Sequence, residues 1–234
     1  MSIQGLRLFL LSVFENNPGW TKLSAMCGRI SQVQIDNYYS RVYGWPMPDY
    51  KPRRNIKPTQ NVPIFINEDR EIKEVVARWW AQWDGAKEFN TKYATFNARV
   101  DRLDESKLWS GLLKKEKRCV LPVSSFYEWP EKGKPPVEIF TAERKPFGLP
   151  GLWSTWFEEN QPRYSFTIFT TEPNEFMKPI HPKAMPVMLD SPELHKLWLH
   201  EGDRSILVPY TGKMDSEKLT APIDQIYSDE DSEE

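Results

Sequence analysis

The stretch VPIFINEDREIKEVVARWW, residues 62–80, decides the fold of this chain. Val62 to Ile66 is a short apolar run, and Ile72 to Trp80 alternates or is apolar, so each reads as a strand. Asn67 to Asp69 supplies turn residues between them, which makes the pair a hairpin. Downstream, Arg118 to Val123, Pro136 to Thr141, Gly148 to Trp156 and Arg163 to Thr171 read as further strands separated by Gly and Pro turns. Helices are fewer. Asp104 to Lys117 sets Leu108, Trp109, Leu112 and Leu113 at helical spacing and closes on lysines that suit a helix C-terminus. Ser191 to Leu199 opens with Ser191 as N-cap and Pro192 in the first helical position. Upstream, Ser31 to Tyr43 predicts a helix with Val33, Tyr38, Tyr39 and Val42 on one face. Pro48 to Pro58 predicts a loop carrying Lys51, Arg53, Arg54 and Lys57. No internal repeat is evident. Many strands with a few scattered helices point to an α+β single domain with a curved, barrel-like, mainly antiparallel β core and a few flanking helices.

Composition agrees. The 234 residues are 39% hydrophobic, enough for a core without disulfides, and the 20 prolines favour short strands and turns over long helices. Two cysteines, Cys27 and Cys119, make no disulfide framework, and His181, His195 and His200 have no cysteine partners at zinc-site spacing. The expectation is a reduced, cytoplasmic protein with no metal and no cofactor. Residues 228–234 carry five acids, and without them the formal net charge moves from −2 to +3, a mildly basic body that permits a nucleic-acid partner. The acidic segment reads as a disordered end that aids solubility. At the other end Arg7 precedes an apolar run, Leu8 to Phe14, of the length found in secretory peptides but too short to span a membrane. The expected organisation is an N-terminal extension at 1–25, absent from the mature protein, a domain at 26–227 and the acidic tail.

Several residues can carry chemistry. Cys27 stands in Met-Cys-Gly-Arg, and trimming to Cys27 would give a 1,2-aminothiol with an amine of pKa about 7.7–8.0 beside a thiol of about 8.5. Such a group traps aldehydes: the amine condenses to a Schiff base and the thiolate closes a five-membered thiazolidine. From the residue alone, a buried cysteine acting as a small hydrophobe is the plainer reading. Gly28 lets a ligand approach the backbone, and Arg29 and Arg99 offer fixed charges suited to phosphate. Asn97 provides an amide with donor and acceptor. Glu128 lies within Phe-Tyr-Glu-Trp, where apolar neighbours would raise its pKa and make it a usable acid or base; an exposed strand-end Glu is the equal alternative. His181 sits in a loop among polar residues and is a better acid/base candidate than His195 or His200, which belong to a helix near Trp198. Among Trp79, Trp80, Trp83, Trp129, Trp153 and Trp156, one or two are expected to stack on bases and the rest to be core.

Taken in order, these segments resemble the SOS-response-associated peptidase family, whose members are also described as abasic site processing or DNA–protein cross-link generating proteins. The resemblance runs from Met26 to Leu189. It is carried by Met-Cys-Gly-Arg (26–29), Arg-Asn-Ile-Lys-Pro-Thr-Gln (54–60), Asn-Ala-Arg (97–99), Arg-Cys-Val-Leu-Pro (118–122), Phe-Tyr-Glu-Trp (126–129), Gly-Leu-Trp (151–153), Ile-His (180–181) and Met-Pro-Val-Met-Leu (185–189). It implies a catalytic set of Cys27, Asn97, Glu128 and His181. It also implies a DNA-binding set of Arg29, Arg99, Gly28, Pro58, Thr59, Trp80, Trp129 and Thr171. The implied partner is single-stranded DNA containing abasic sites, with no membrane, a monomeric state, and location in the cytoplasm at the nucleoid during DNA damage. A covalent thiazolidine cross-link, an autoproteolytic or peptidase activity and a lyase activity come with it.

Three features depart from the family pattern. Twenty-six residues stand before Cys27; Trp-Trp-Ala-Gln-Trp (79–83) replaces the usual Trp-Gly-Leu and proline; and one extra residue separates His181 from Met-Pro. Two rival functions stay open on the sequence: a thiol hydrolase using Cys27 with His181 as base, and a non-catalytic single-strand binding module relying on the Trp and Arg residues.

Overall fold

A computed structural model describes residues 27–227. The expectations for 1–25 and for 228–234 lie outside the described residues. The strands are β1 (Ile30–Gln32), β2 (Arg53–Ile56), β3 (Asn61–Glu68), β4 (Glu71–Trp79), β5 (Asn97–Arg99), β6 (Arg118–Val123), β7 (Ser125–Glu128), β8 (Val137–Thr141), β9 (Phe147–Glu158), β10 (Gln161–Thr171), β11 (Met185–Pro186) and β12 (Met214–Lys218). The helices are α1 (Asp36–Tyr38, running into a π turn at Tyr39–Tyr43), α2 (Lys107–Lys114), α3 (Pro192–Lys196, running into a π turn at Leu197–Glu201) and α4 (Ile223–Ile226).

The hairpin at 62–80 forms as β3 and β4, with Ile64 facing Val75 and Asn67 facing Ile72. From it a sheet of order β10-β4-β3-β6-β9 closes on itself, because β9 and β10 also pair over Glu158 to Gly151. Closure needs one exception to the antiparallel rule: β10 runs parallel to β4, with Tyr164 beside Ala77, and farther on parallel to β5, with Ile168 beside Asn97. Gly151 is required at the β9–β10 contact, since a Cβ there would clash with the Thr167 carbonyl. A second sheet, β12-β8-β7-β1-β2, covers the barrel.

Strand periodicity sorts the side chains into two cores. Val62, Ile64 and Ile66 of β3, Cys119, Leu121 and Val123 of β6, and Phe166 and Ile168 of β10 share one cluster with Ile30, Ile56, Phe126 and Ile139 of the second sheet. The alternate residues Phe65, Val120 and Phe169 face Tyr39, Tyr43, Leu112 and Trp198 from the helices. β3 is therefore covered on both faces, which is why it reads as a continuous apolar run. Gln32 ties the sheets together, donating from Nε2 to Pro63 O at 3.2 Å and Pro122 O at 2.8 Å.

Three expectations need correcting. The predicted helix at Ser31–Tyr43 is a strand up to Gln32 and helical only from Asp36, because Ile30 and Ser31 are pinned opposite Phe126 and Ser125 of β7. Within the predicted loop Pro48–Pro58, Arg53–Ile56 is a strand paired with β1. Helix α2 is shorter than Asp104–Lys117, starting after Ser106, whose hydroxyl accepts from Trp109 N–H. Ser191 caps α3 by accepting from Leu194 N–H, with Pro192 next, as the sequence predicts.

Candidate functional site

The centre of the site is where β1 and β7 run side by side. Ile30 faces Phe126, and Tyr127 N–H donates to Arg29 O at 3.0 Å, which carries Cys27 back along the end of β7. There the Cys27 backbone nitrogen donates to Glu128 Oε1 at 2.8 Å. Both residues are buried, and Cys27 is held in the left-handed region with φ 47°. A non-glycine residue adopts that conformation only where its surroundings impose it. Burial pushes the Glu128 carboxyl up to about 8, against backbone N–H bonds from Cys27 and Trp129 that favour the carboxylate. Burial, and then the neighbouring Glu128 charge, push the Cys27 thiol well above its ordinary range. Beside this pair Gly28 leaves open space: a Cβ there would meet nothing within 4 Å.

A second group of residues converges where β5, β10 and β11 meet. Asn97 and Arg99 of β5 lie beside Ile168 and Thr170, while Thr171 faces Met185 of β11. Arg99 donates to both Asp101 carboxylate oxygens at 2.9 Å and to Lys183 O at 3.1 Å, so β5 is tied to the histidine loop. In that loop His181 N–H donates to Met177 O at 2.7 Å, and His181 Nδ1 lies 3.0 Å from Ala184 O. A carbonyl only accepts, so Nδ1 carries the proton and the neutral ring keeps its lone pair on Nε2. Burial lowers the His181 pKa, partly offset by the Ala184 bond, which keeps this neutral form in place. Met177, Met185 and Met188 pack in the same apolar cluster as Cys27, Phe96, Trp79 and Trp80, which brings the histidine loop to the core that carries Cys27.

Arg29 is not a bare cation. Its Nε donates to Asn55 Oδ1 at 3.0 Å, and Nη2 is 3.3 Å from both oxygens of Asp224, which also accepts from Asn55 Nδ2 at 2.8 Å. Asp224 is lowered despite partial burial, by the Asn55 hydrogen bond and the Arg29 charge. Neither Asn55 nor Asp224 stands out in the sequence: Asp224 is 195 positions from Arg29, and its only local signal is a short helix after Pro222. Thr59 follows Pro58 with φ 80° and donates its N–H to Trp79 O at 3.0 Å, locking the turn against the end of β4.

The tryptophans divide clearly. Trp80 is 1% exposed, with its ring 5.1 Å from that of Phe96. Trp79, Trp153 and Trp156 are buried too, whereas Trp83 is 57% and Trp129 37% exposed. Among the described residues no group of three or more His, Cys, Asp or Glu could hold a metal ion, and no helix is long and apolar enough to cross a membrane.

The fold is a closed mixed barrel with a buried Cys27–Glu128 contact just before β1, and sequence comparison gives its family. The chain belongs to the SOS response associated peptidase (SRAP) family, whose profile matches residues 26–223. It is 34% identical over 205 residues to abasic site processing protein YoaM of Bacillus subtilis strain 168, a match covering 79% of this chain and 86% of that protein. It is 29% identical over 212 residues to abasic site processing protein HMCES of Xenopus tropicalis, covering 76% of this chain and 60% of the relative. A solved protein structure from Bordetella bronchiseptica shares the fold, with a TM-score of 0.72 at 19% identity over 83% of this chain and 100% of that one. Another from Bacteroides thetaiotaomicron has a TM-score of 0.68 at 21% identity, covering 86% and 94%.

Proposed function

We propose that this protein recognises abasic sites in single-stranded DNA and, once Cys27 is its first residue, joins them covalently as a thiazolidine. The observation that carries the reading is the 2.8 Å contact between the Cys27 nitrogen and Glu128 Oε1. As an amide that nitrogen is inert; as an α-amine, with an ordinary pKa of about 7.7–8.0, it would sit on a carboxyl pushed up to about 8. A carboxyl raised by burial and within hydrogen-bond reach of that amine can pass it a proton and take one back, which is what an acid/base step at neutral pH requires.

The chemistry balances through that proton. The amine attacks the aldehyde carbon of the open sugar, and a proton passes from nitrogen to oxygen to give the carbinolamine. Protonated Glu128 gives its proton to the hydroxyl, which leaves as water, and a C=N bond forms. The Cys27 sulfur then adds to the carbon of this protonated C=N bond, its proton passing to the Glu128 carboxylate while the C=N electron pair returns to nitrogen, which keeps its single N–H. One water is lost overall and the carboxyl is regenerated. With its thiol raised by burial and by the Glu128 charge, Cys27 adds as S–H and gives its proton to the neighbouring carboxylate.

Around this centre His181 with its free Nε2 assists ring opening, Asn97 orients the sugar, and Arg29 and Arg99 contact flanking phosphates, with Gly28, Pro58, Thr59 and Thr171 shaping the pocket. Trp129, partly exposed beside Glu128, is the stacking surface. The peptidase activity in the family name would serve to expose Cys27, and lyase cleavage would follow wherever the imine forms without ring closure. Two preparations of the Cys27-first protein, one Nα-acetylated, test the amine requirement on single-stranded DNA with one abasic site. Adduct on a denaturing gel from the free amine alone is the expected result; equal adduct from both would refute it.

A further inference from the structure

A cleft of about 290 Å³ opens between α2, the start of β6 and the end of the π turn that follows α3, and it shares no residue with the site around Cys27. Its most buried cation is Arg118, whose side chain is 7% exposed. Nε donates to Leu199 O at 3.0 Å and Nη2 to His200 O at 2.9 Å, so two of the five guanidinium N–H groups cap carbonyls at the end of the helix. Among the described residues, Nη1 meets only the Glu116 carboxylate, 3.6 Å away and itself well exposed. Capping explains one cation here, but not the others beside it. Lys114, the last residue of α2, and the Ser110 hydroxyl one turn earlier line the same cleft, and neither has a hydrogen-bond or ion-pair partner among the described residues. Arg204 lines it too, held by both carboxylate oxygens of Asp104 at 3.0 and 2.9 Å. Position 202 is a glycine, and a Cβ there would lie 2.8 Å from Arg118 Nη1, crowding the end of the guanidinium that the carbonyls leave open.

We propose that this cleft binds a phosphate group, free or carried by a nucleic-acid strand; the inference does not rest on the chemistry at Cys27. Lys114, Arg118 and Arg204 against Asp104 and Glu116 leave an excess of one positive charge before any ligand arrives. The N–H groups left on Nη1 and Nη2 of Arg118 form a fork that fits two phosphate oxygens. Lys114 adds a point charge, and the Ser110 hydroxyl is a donor for a third oxygen. The ligand displaces Glu116, whose long, exposed contact costs little to break. The cleft falls just below the roughly 300–1,000 Å³ of pockets that enclose drug-sized molecules, so it suits a phosphate with one attached group rather than a large ligand.

The test is a titration of the full chain, followed by ¹H–¹⁵N spectra, in which inorganic phosphate replaces chloride at constant pH and ionic strength. The amides of Ser110, Lys114 and Gly202 are expected to shift and saturate. Glu116→Gln should tighten phosphate binding and Lys114→Ala should weaken it, each by about 1.5-fold to fivefold. Both side chains are exposed, so neither change disturbs the fold. A structural role for these residues would not move the affinity in opposite directions. Shifts that chloride alone reproduces overturn the proposal, as does failure of either substitution to move the affinity in its stated direction. Two further titrants assign the source of the phosphate: deoxyadenosine 5′-monophosphate, and an undamaged single-stranded DNA without terminal phosphates. Shifts of the same amides by the strand, reversed by inorganic phosphate, uphold a site for the nucleic-acid backbone. Shifts by the monophosphate and by inorganic phosphate, but not by the strand, uphold a site for a small phosphorylated ligand.

Discussion

Two buried titratable groups, Glu128 and His195, lie at opposite sides of the barrel wall and teach different lessons. Glu128 is pushed up to about 8 and His195 down to about 4, each chiefly by desolvation. Perturbation alone therefore does not mark a site. What separates them is whether the surroundings leave room. His195 has both ring nitrogens occupied, Nε2 by Tyr39 OH at 3.1 Å and Nδ1 by Ser191 O at 2.7 Å, and meets the rings of Tyr39, Tyr43 and Trp45 edge-on. A Cβ on Gly148 would strike His195 Nε2. Glu128 instead holds a backbone nitrogen that becomes chemically different when freed, and its neighbour Gly28 faces open space. The first region is filled by the protein; the second keeps open space beside the buried pair.

Changes on the Glu128 side should alter chemistry and spare the fold, and changes on the His195 side should do the reverse. The largest expected effect is Cys27→Ala in the form where residue 27 is first: the stable adduct disappears, while an imine trappable by borohydride persists on a denaturing gel. Glu128→Gln should slow adduct formation by about 10²–10³-fold in single-turnover kinetics, because the shared proton is lost. It should also change stability with a definite sign. An acid whose folded pKa of about 8 exceeds its ordinary 4.5 loses stabilisation as pH rises through that interval, so the glutamine variant should be the more stable protein at pH 8 by denaturant titration.

On the other side, Gly148→Ala should cost about 1–3 kcal/mol of unfolding free energy through overpacking against His195 and Val120. His195→Gln should cost about 1–3 kcal/mol at neutral pH through lost buried hydrogen bonds, with adduct rates close to the parent's. Its pH profile sharpens the comparison. A histidine lowered from its ordinary 6.5 to about 4 loses stability as pH falls through that window, so the variant's acid limb should be flatter there. The smallest structural effect is expected for Gly28→Ala, within about 0.5 kcal/mol, with its consequence confined to the adduct rate.

The barrel was legible where local pattern and tertiary environment agree. β6 falls on Arg118–Val123 as read, and α3 starts at the Ser191-Pro192 signal. The parallel pairings of β10 with β4 and β5 were not legible, because partners as far apart as Tyr164 and Ala77, or Ile168 and Asn97, share no local signature. β2 was hidden by the prolines around it, and the start of β1 by a helix pattern that begins only at Asp36. In the site, Cys27 and Glu128 could be named from their motifs, but their contact spans 101 positions. Asp224 was invisible for the same reason, its role being set wholly by the folded approach of α4 to Arg29. Which tryptophan faces inward was not legible, because adjacent tryptophans share the same local signal; the fold buries Trp79 and Trp80 and leaves Trp83 and Trp129 partly exposed.

The most direct test of the central claim is intact mass spectrometry of the Cys27-first protein before and after incubation with single-stranded DNA bearing one abasic site. The account predicts a species equal to protein plus strand less one water, formed without reductant and stable to heat. Absence of that species, or its equal formation by the Cys27→Ala protein, would contradict it.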